Sequence, residues 1–390
     1  MSHKPQTKAI RTQTERTAQK EHSTPLFLTS SFVYDSAADM AAAFASDAPE
    51  VNIYSRFSNP SVDEFVNKIC ALEGAEAGVA TGTGMAAVFS TFMAFLSSGD
   101  HIISAAAVFG STHTILTKYL PKWGIAHSYF DMAQPETVEA LIQPNTKLLY
   151  VETPSNPGLD IIDLEWLGNL CNKHNILLVV DNCFATPAVQ QPMQYGAHLV
   201  LHSATKFING QGRVLGGVVV GHKELIHQLY LFIRNTGPSM SPFNAWVLSK
   251  SLETLYLRMD KHAENALHLA TSLESHPKIS WVKYPFLSTH PQYAIAKKQM
   301  RNGGGIVTFE LAGGLAAGQQ FLDALQILSM TNNLGDSRSI ASHPASTTHS
   351  KLSKEERAAV GITPGLIRIS VGLEHVDDIV ADIMQALEVC

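Results

Sequence analysis

Between residues 56 and 240 the chain repeats one pattern, in which short apolar runs of strand length alternate with turns and helical stretches. GAEAGVAT leads into the helix-like GMAAVFSTFMAFL, and DHIISAAA, TKLLYVET, ILLVVD, AHLVLHS and LGGVVVG follow in turn. Such alternation builds a largely parallel sheet covered by helices on both faces. The fold class is therefore α/β.

The flanks divide the rest of the chain. Residues 1–55 form a polar arm followed by TPLFLTSSFVY, a short apolar piece with no partner of its own, as in arms that pack on another subunit. From 243 to 275 apolar residues recur at helical spacing, with Leu252, Leu255, Met259, Ala266, Leu269 and Leu273 near one face, which predicts one long connecting helix. GGGIVTFEL, AAGQQFLDALQIL, LIRISVGLE and HVDDIVADIMQALE then make a smaller α/β unit. The expected division is an arm (1–55), a large domain (56–250) and a C-terminal domain with the connecting helix (251–390). The polar loop from Thr331 to Ser350 has the length at which loops are functional or mobile.

Composition narrows the function classes. A chain of 390 residues with 45% hydrophobic and 16% charged residues can bury two or three cores and is too apolar to stay disordered. No apolar run approaches the roughly 18 residues that span a bilayer. The formal charge of −6 gives no basic footprint for nucleic acid or an anionic membrane, so small molecules are the expected partners. Cys70, Cys171, Cys183 and Cys390 are scattered without a C-x-x-C pair, and the polar N-terminus lacks a secretory signal, which together suit a reducing cytoplasm.

The chemistry is densest where ILLVVDNCFATP is followed by LVLHSATKF, with Lys206 25 positions after Asp181. If both runs are parallel strands, Asp181, Ser203, Thr205 and Lys206 lie at their carboxyl ends, the edge at which open α/β sheets bind ligands. Pyridoxal phosphate needs this set: an amine for a Schiff base, a carboxylate opposite the ring nitrogen, and donors around the phosphate. An Asp or a Lys alone would be read as a solvated surface residue; the ordered combination after two strands raises the cofactor reading above that. Thr81-Gly82-Thr83-Gly84-Met85-Ala86-Ala87 joins a strand to an apolar helix, so the Gly84 and Met85 amides would face an anion at a helix start. The same residues satisfy G-x-G-x-x-A, a weak dinucleotide signal, but the acid that should end the next strand is Asp100, which precedes HIIS. A tight turn that needs glycines for packing is the third reading.

YSRFSNP, TGTGMAA, VETPSNP, VVDNCFATP, SATKF, GDSRSIASHPASTTHS and LIRISVGLE occur in the order seen in the Cys/Met-metabolism PLP-dependent enzymes, and the chain resembles that family from about Thr24 to the C-terminus. The resemblance implies an aspartate aminotransferase-like fold of type I. It makes Lys206 the Schiff-base lysine and catalytic base, Asp181 the pyridinium partner, and Gly84, Met85, Ser203 and Thr205 the phosphate cup. Tyr54 and Arg56 would reach the phosphate from the neighbouring subunit, so a dimer would be the smallest competent unit, within a homotetramer built as a dimer of dimers. Asn156 would lie near the ring hydroxyl, Phe109 on the ring, and Arg368 on the substrate α-carboxylate, a task suited to a planar fork of donors. Without the family, Arg368 could be a charge on the outward face of a strand. Asn333 and Arg338 are further substrate-binding candidates, with Arg338 proposed to take the extra carboxylate of a succinyl ester.

The implied reaction is γ-replacement, in which an O-acylated homoserine and sulfide give homocysteine; cystathionine synthesis or lyase activity on a sulfur amino acid are the alternatives. Two departures bear on it. Phe109 stands where many members have a tyrosine, so it can stack but has no hydroxyl to move a proton. Ser111 stands where methionine gamma-lyases tend to carry a cysteine. No metal is expected: His198 and His202 lie four apart in a strand, about 13 Å along it, too far for one ion, and His343 and His349 have no carboxylate at ligand spacing.

Overall fold

A computed structural model describes residues 3–47, 51–347, 357 and 361–390. His349 and the end of the polar loop lie outside the described residues. The large sheet has seven strands: β1 (Ala77–Thr81), β2 (His101–Ala105), β3 (Ala126–Phe130), β4 (Thr146–Glu152), β5 (Leu177–Asp181), β6 (Leu199–Ser203) and β7 (Gly217–Gly221). Their order is β1-β7-β6-β5-β4-β2-β3, and every pair is parallel except the two made by β7. Val179, Val180, Leu199, Val200, Val218 and Val219 are all buried, so successive residues pointing to opposite faces both meet covering chain. That is why these strands read as continuous apolar runs.

The helices that cover the sheet begin and end on local signals. Helix Pro60–Glu73 starts with Asn59, whose side chain accepts the Ser61 amide, and stops at Gly74, where φ is +74° and no side chain is strained. Helix Gly84–Phe95 starts on Thr83, whose hydroxyl accepts the Ala86 amide at 3.0 Å.

Across 243–275 the structure has two helices, Pro242–Leu252 and Leu255–Leu273, where the apolar spacing predicted one. The reason lies in Arg258. Its guanidinium takes the Ser251 carbonyl at 3.0 Å, together with the carbonyls of Phe207 and Ile208 at 2.6 and 3.1 Å, and so ties the break to the loop after Lys206. The second helix then bridges two cores. Leu255 and Met259 belong to the large-sheet core, while Ala266, Leu269 and Leu273 pack with the second sheet.

That sheet runs β10 (Ser329–Met330), β11 (Ile340–Ser342), β12 (Leu366–Ser370), β9 (Ile306–Leu311) and β8 (Ile279–Lys283), antiparallel except between β10 and β11. β12 brings Arg368 toward the carboxyl edge of the large sheet, where it meets Asn156. Among the described residues no helix is long and apolar enough to cross a membrane.

Candidate active site

The carboxyl ends of β1, β4, β5 and β6 open into a cleft of about 840 Å³. Gly84, Met85, Phe109, Asn156, Asp181 and Ser203 line it, as do Thr205, Lys206 and Arg368. Each arrives for a local reason. Asp181 ends β5, Ser203 ends β6, and the turn that follows β6 carries Thr205 and Lys206. Gly84 must lack a side chain, because a Cβ there would stand 2.5 Å from the Ser203 Cβ and 2.7 Å from its hydroxyl oxygen. The helix start can therefore approach the end of β6 with its first amides. The Ala86 and Ala87 amides are taken by the Thr83 hydroxyl and carbonyl. The Thr205 hydroxyl is fixed by the Gly216 backbone, accepting its amide at 3.2 Å.

The charged groups are deeply placed. Lys206 Nζ donates to the Asn333 side-chain carbonyl at 2.6 Å, and burial, assisted by the Arg368 charge, holds the amine below its ordinary range. Asp181 accepts the Cys183 amide at 3.0 Å and the Tyr150 hydroxyl at 3.1 Å. Burial raises its carboxyl; the Cys183 amide, the His202 charge and the Tyr150 hydroxyl act in the opposite sense. Arg368 is 5% exposed, which removes the reading of an outward surface charge. Its Nη1 donates to Asn156 at 2.9 Å and its Nη2 to the Asn333 carbonyl at 3.2 Å, while Nε is buried without a partner among the described residues. Burial brings this guanidinium down to about 10.

Three expected site residues stand apart. Arg338 is exposed and pairs with Asp336 at 3.1 Å, outside the lining of the cleft. Tyr54 and Arg56 also lie outside it; the Arg56 guanidinium sits over the Phe57 ring at 4.7 Å and donates to the Arg234 carbonyl. Asn333 enters through its bond to Lys206 rather than through an open wall of the cleft.

The structure also adds residues that sequence reasoning left unassigned. Glu152 ends β4 directly beside Asp181, lines the cleft and accepts the Phe109 amide at 2.9 Å. Burial and the Asp181 charge push its carboxyl well above the usual range. Its signal was its place at a strand end in VETPSNP. His202, one residue before Ser203, also lines the cleft and bonds Glu73 at 2.6 Å. It lies on β6, and His198, just before that strand, accepts the Leu178 amide at 3.0 Å. Among the described residues no group of three metal-ligating side chains gathers.

The model for Cys/Met metabolism PLP-dependent enzymes matches residues 6–388. The chain belongs to this family. It is similar to O-succinylhomoserine sulfhydrylase of Pseudomonas aeruginosa, 47% identical over 98% of this chain and 94% of that one. It is also similar to L-methionine gamma-lyase of Fusobacterium nucleatum subsp. polymorphum, 43% identical over 93% of both chains. A solved structure from Campylobacter jejuni that contains a pyridoxyl-lysine monophosphate superposes with a TM-score of 0.94 at 33% identity, covering 99% of this chain and 100% of that one.

The cofactor of this family member is pyridoxal phosphate, and the cleft has the donor set for it. A buried amine, a buried carboxylate and a helix start that only glycine permits converge there, with an unpaired guanidinium nitrogen beside them. With pyridoxal phosphate as the cofactor, the G-x-G-x-x-A pattern at a helix start on the cleft is not a dinucleotide fingerprint.

Proposed function

We propose that the protein is a γ-replacement enzyme that converts O-succinylhomoserine, or its acetyl counterpart, and sulfide into homocysteine and the free acid. The observation that carries this reading is Ser111 in the cleft wall, where methionine gamma-lyases tend to carry a cysteine, beside Phe109, which stands where many members of the family have a tyrosine. The likeness to O-succinylhomoserine sulfhydrylases of Pseudomonas aeruginosa and Mycobacterium tuberculosis, at 47% and 42% identity, supports it.

Bound pyridoxal phosphate supplies the electron sink that makes the α- and β-protons of the substrate removable and its γ-bond breakable. Asp181 would hold the ring nitrogen, Gly84, Met85, Ser203 and Thr205 the phosphate, and Asn156 the ring hydroxyl. Arg368 would take the α-carboxylate through two charge-assisted bonds, with the unpaired Nε available to one of them. The phenyl ring of Phe109 shields the site and transfers no proton, so the proton work falls to Lys206 Nζ. Burial keeps a larger share of that amine neutral than a surface lysine would show, as a base requires. The acyl group leaves as a carboxylate with the C–O bonding pair, and hydrosulfide brings the pair for the new C–S bond. Tyr54 and Arg56 would complete the phosphate cup of a neighbouring subunit, so the working unit is a homo-oligomer. Its four unpaired cysteines suit a reducing cytoplasm.

Offering each ester with sulfide and identifying the product tests the reading: homocysteine is expected, formed faster from the succinyl ester. The second reading, methionine γ-elimination, rests on the 43% identical lyase. Release of 2-oxobutyrate from methionine at a rate above ester consumption, with no homocysteine from either ester, would establish it instead.

A further inference from the structure

Behind Asp181 lies a buried polar group that the reaction described above does not use. Glu73, at the end of helix Pro60–Glu73, and His202, on β6, are 0% and 1% exposed. His202 Nε2 lies 2.6 Å from Glu73 Oε1, which also accepts the Asn182 side-chain amide at 2.9 Å. Glu73 Oε2 and His202 Nδ1 are buried and have no hydrogen-bond partner among the described residues. Asn182 in turn is held by Gln190, whose amide donates to it at 3.1 Å.

Such a carboxylate is expensive to leave in a protein interior with only neutral donors, and the short contact is of the kind that a charged donor makes. The pair is also close to the chemistry. His202 forms part of the cleft wall, one residue from Ser203, at the end of the strand that pairs with β5 and its Asp181. We infer that Glu73 and His202 are positioning residues that hold a buried positive charge on the imidazole, and that this charge keeps Asp181 ionised where the pyridine nitrogen of the cofactor sits.

The other groups around the three are accounted for. Tyr150 and Glu152 from β4 face Asp181, burial and the Asp181 charge raise both and so favour their neutral forms, and Cys183 supplies an amide. Cys70 and Tyr256 face Glu73 and are uncharged, since burial raises both to about 12. Among these neighbours His202 is the cation that offsets the burial of Asp181 from behind, and Glu73 is what fixes its proton.

The inference concerns the resting holoenzyme and does not depend on which amino-acid ester is the substrate. Glu73→Gln keeps the shape and removes the carboxylate, and His202→Asn removes the imidazole. In either holoprotein Asp181 shifts toward its neutral form, the ring nitrogen loses its proton partner, and the pH midpoint of the cofactor's visible absorption band rises by about one unit or more. The double variant moves no further than the larger single shift, because the two act as a unit. A merely structural pair would lower the melting temperature and leave the band midpoint where it was; that result in folded, cofactor-saturated variants overturns the inference. Should both variants fail to fold, nitrogen resonances of the histidine rings in the unaltered holoenzyme decide it. At neutral pH a His202 ring protonated at both nitrogens supports the charge, and a ring carrying one proton excludes it. Failure of the ester-and-sulfide assay leaves these readouts untouched.

Discussion

Lys206 and Arg368 bring like charges into one buried cleft, and the Arg368 charge acts on the Lys206 amine. Burial is the main force that lowers the Lys206 amine from 10.5, and the Arg368 charge adds to it in the same direction. Acylation of Lys206 in cofactor-free protein, followed against pH, should therefore show a midpoint below 10.5. The sign follows from the neutral amine being the nucleophile: lowering the pKa makes the reactive form available at lower pH. Arg368→Gln removes the like charge and should move the midpoint upward, though not to 10.5, since burial persists. An unchanged midpoint would mean the two charges are screened from each other. Arg368→Lys tests geometry instead of charge. An ammonium cannot reproduce a fork that already holds Asn156 and the Asn333 carbonyl and still offers Nε. With each charge-assisted bond worth roughly 1.5–3 kcal/mol, kcat/KM should fall on the order of 10²-fold while cofactor content stays at parent level. A loss of cofactor in parallel would place Arg368 in the scaffold and not on the substrate.

At the scale of elements, one carboxylate organises the edge of the second sheet. Asp382, in helix Val376–Glu388, accepts the amides of Gln326, Ile327 and Leu328 at 2.8, 2.9 and 2.9 Å, just where the chain leaves helix Gly314–Ala324 for β10. Burial opposes its ionisation, but the three amides prevail and hold the carboxyl below 3.8. A folded-state pKa depressed in this way gives stability that is present above the unfolded value and lost as pH falls through the folded one. Asp382→Asn should cost about 1–3 kcal/mol at pH 7 in denaturant unfolding, and the gap between parent and variant should close below pH 3.8. A gap that persists in acid would assign the loss to packing. Neither this cap nor the break at residues 253–254 was legible in the sequence, for the same reason. The apolar period runs through Leu252 and Leu255 without interruption, and the break is imposed by carbonyls 50 and 51 positions from Arg258. What could be read was what local pattern decides: β5 and β6 as buried strands, Asp181 and Lys206 at their ends, and Thr83 with Gly84 at a helix start. Glu73 and His202 are 129 positions apart, and no periodicity marks them as partners.

At the scale of the whole molecule, the proposed oligomer would give a task to residues that the single chain leaves idle. The N-terminal arm is anchored at its root, where the Trp246 indole donates to the Thr24 carbonyl at 3.0 Å and Asn59 to the Phe27 carbonyl at 2.9 Å. Beyond that root Leu28 is 70% and Val33 97% exposed, a pair of apolar side chains that nothing among the described residues covers. Tyr54 and Arg56 follow, away from the cleft of the same chain. Both facts agree with the proposal that a second copy covers the arm and receives Tyr54 and Arg56 at its phosphate. Subunit mixing tests it directly. Arg56→Ala and Lys206→Ala homo-oligomers should each be nearly inactive, the first through weakened phosphate binding and the second through loss of the base. If Arg56 acts across the interface, a hybrid dimer joins an intact Lys206 to an intact Arg56 in one of its two sites. Random reassociation of equal amounts should then recover about a quarter of parent activity, since half the dimers are hybrids with one restored site. If Arg56 served its own chain, every site in the hybrid would still carry one defect, and mixing would restore nothing.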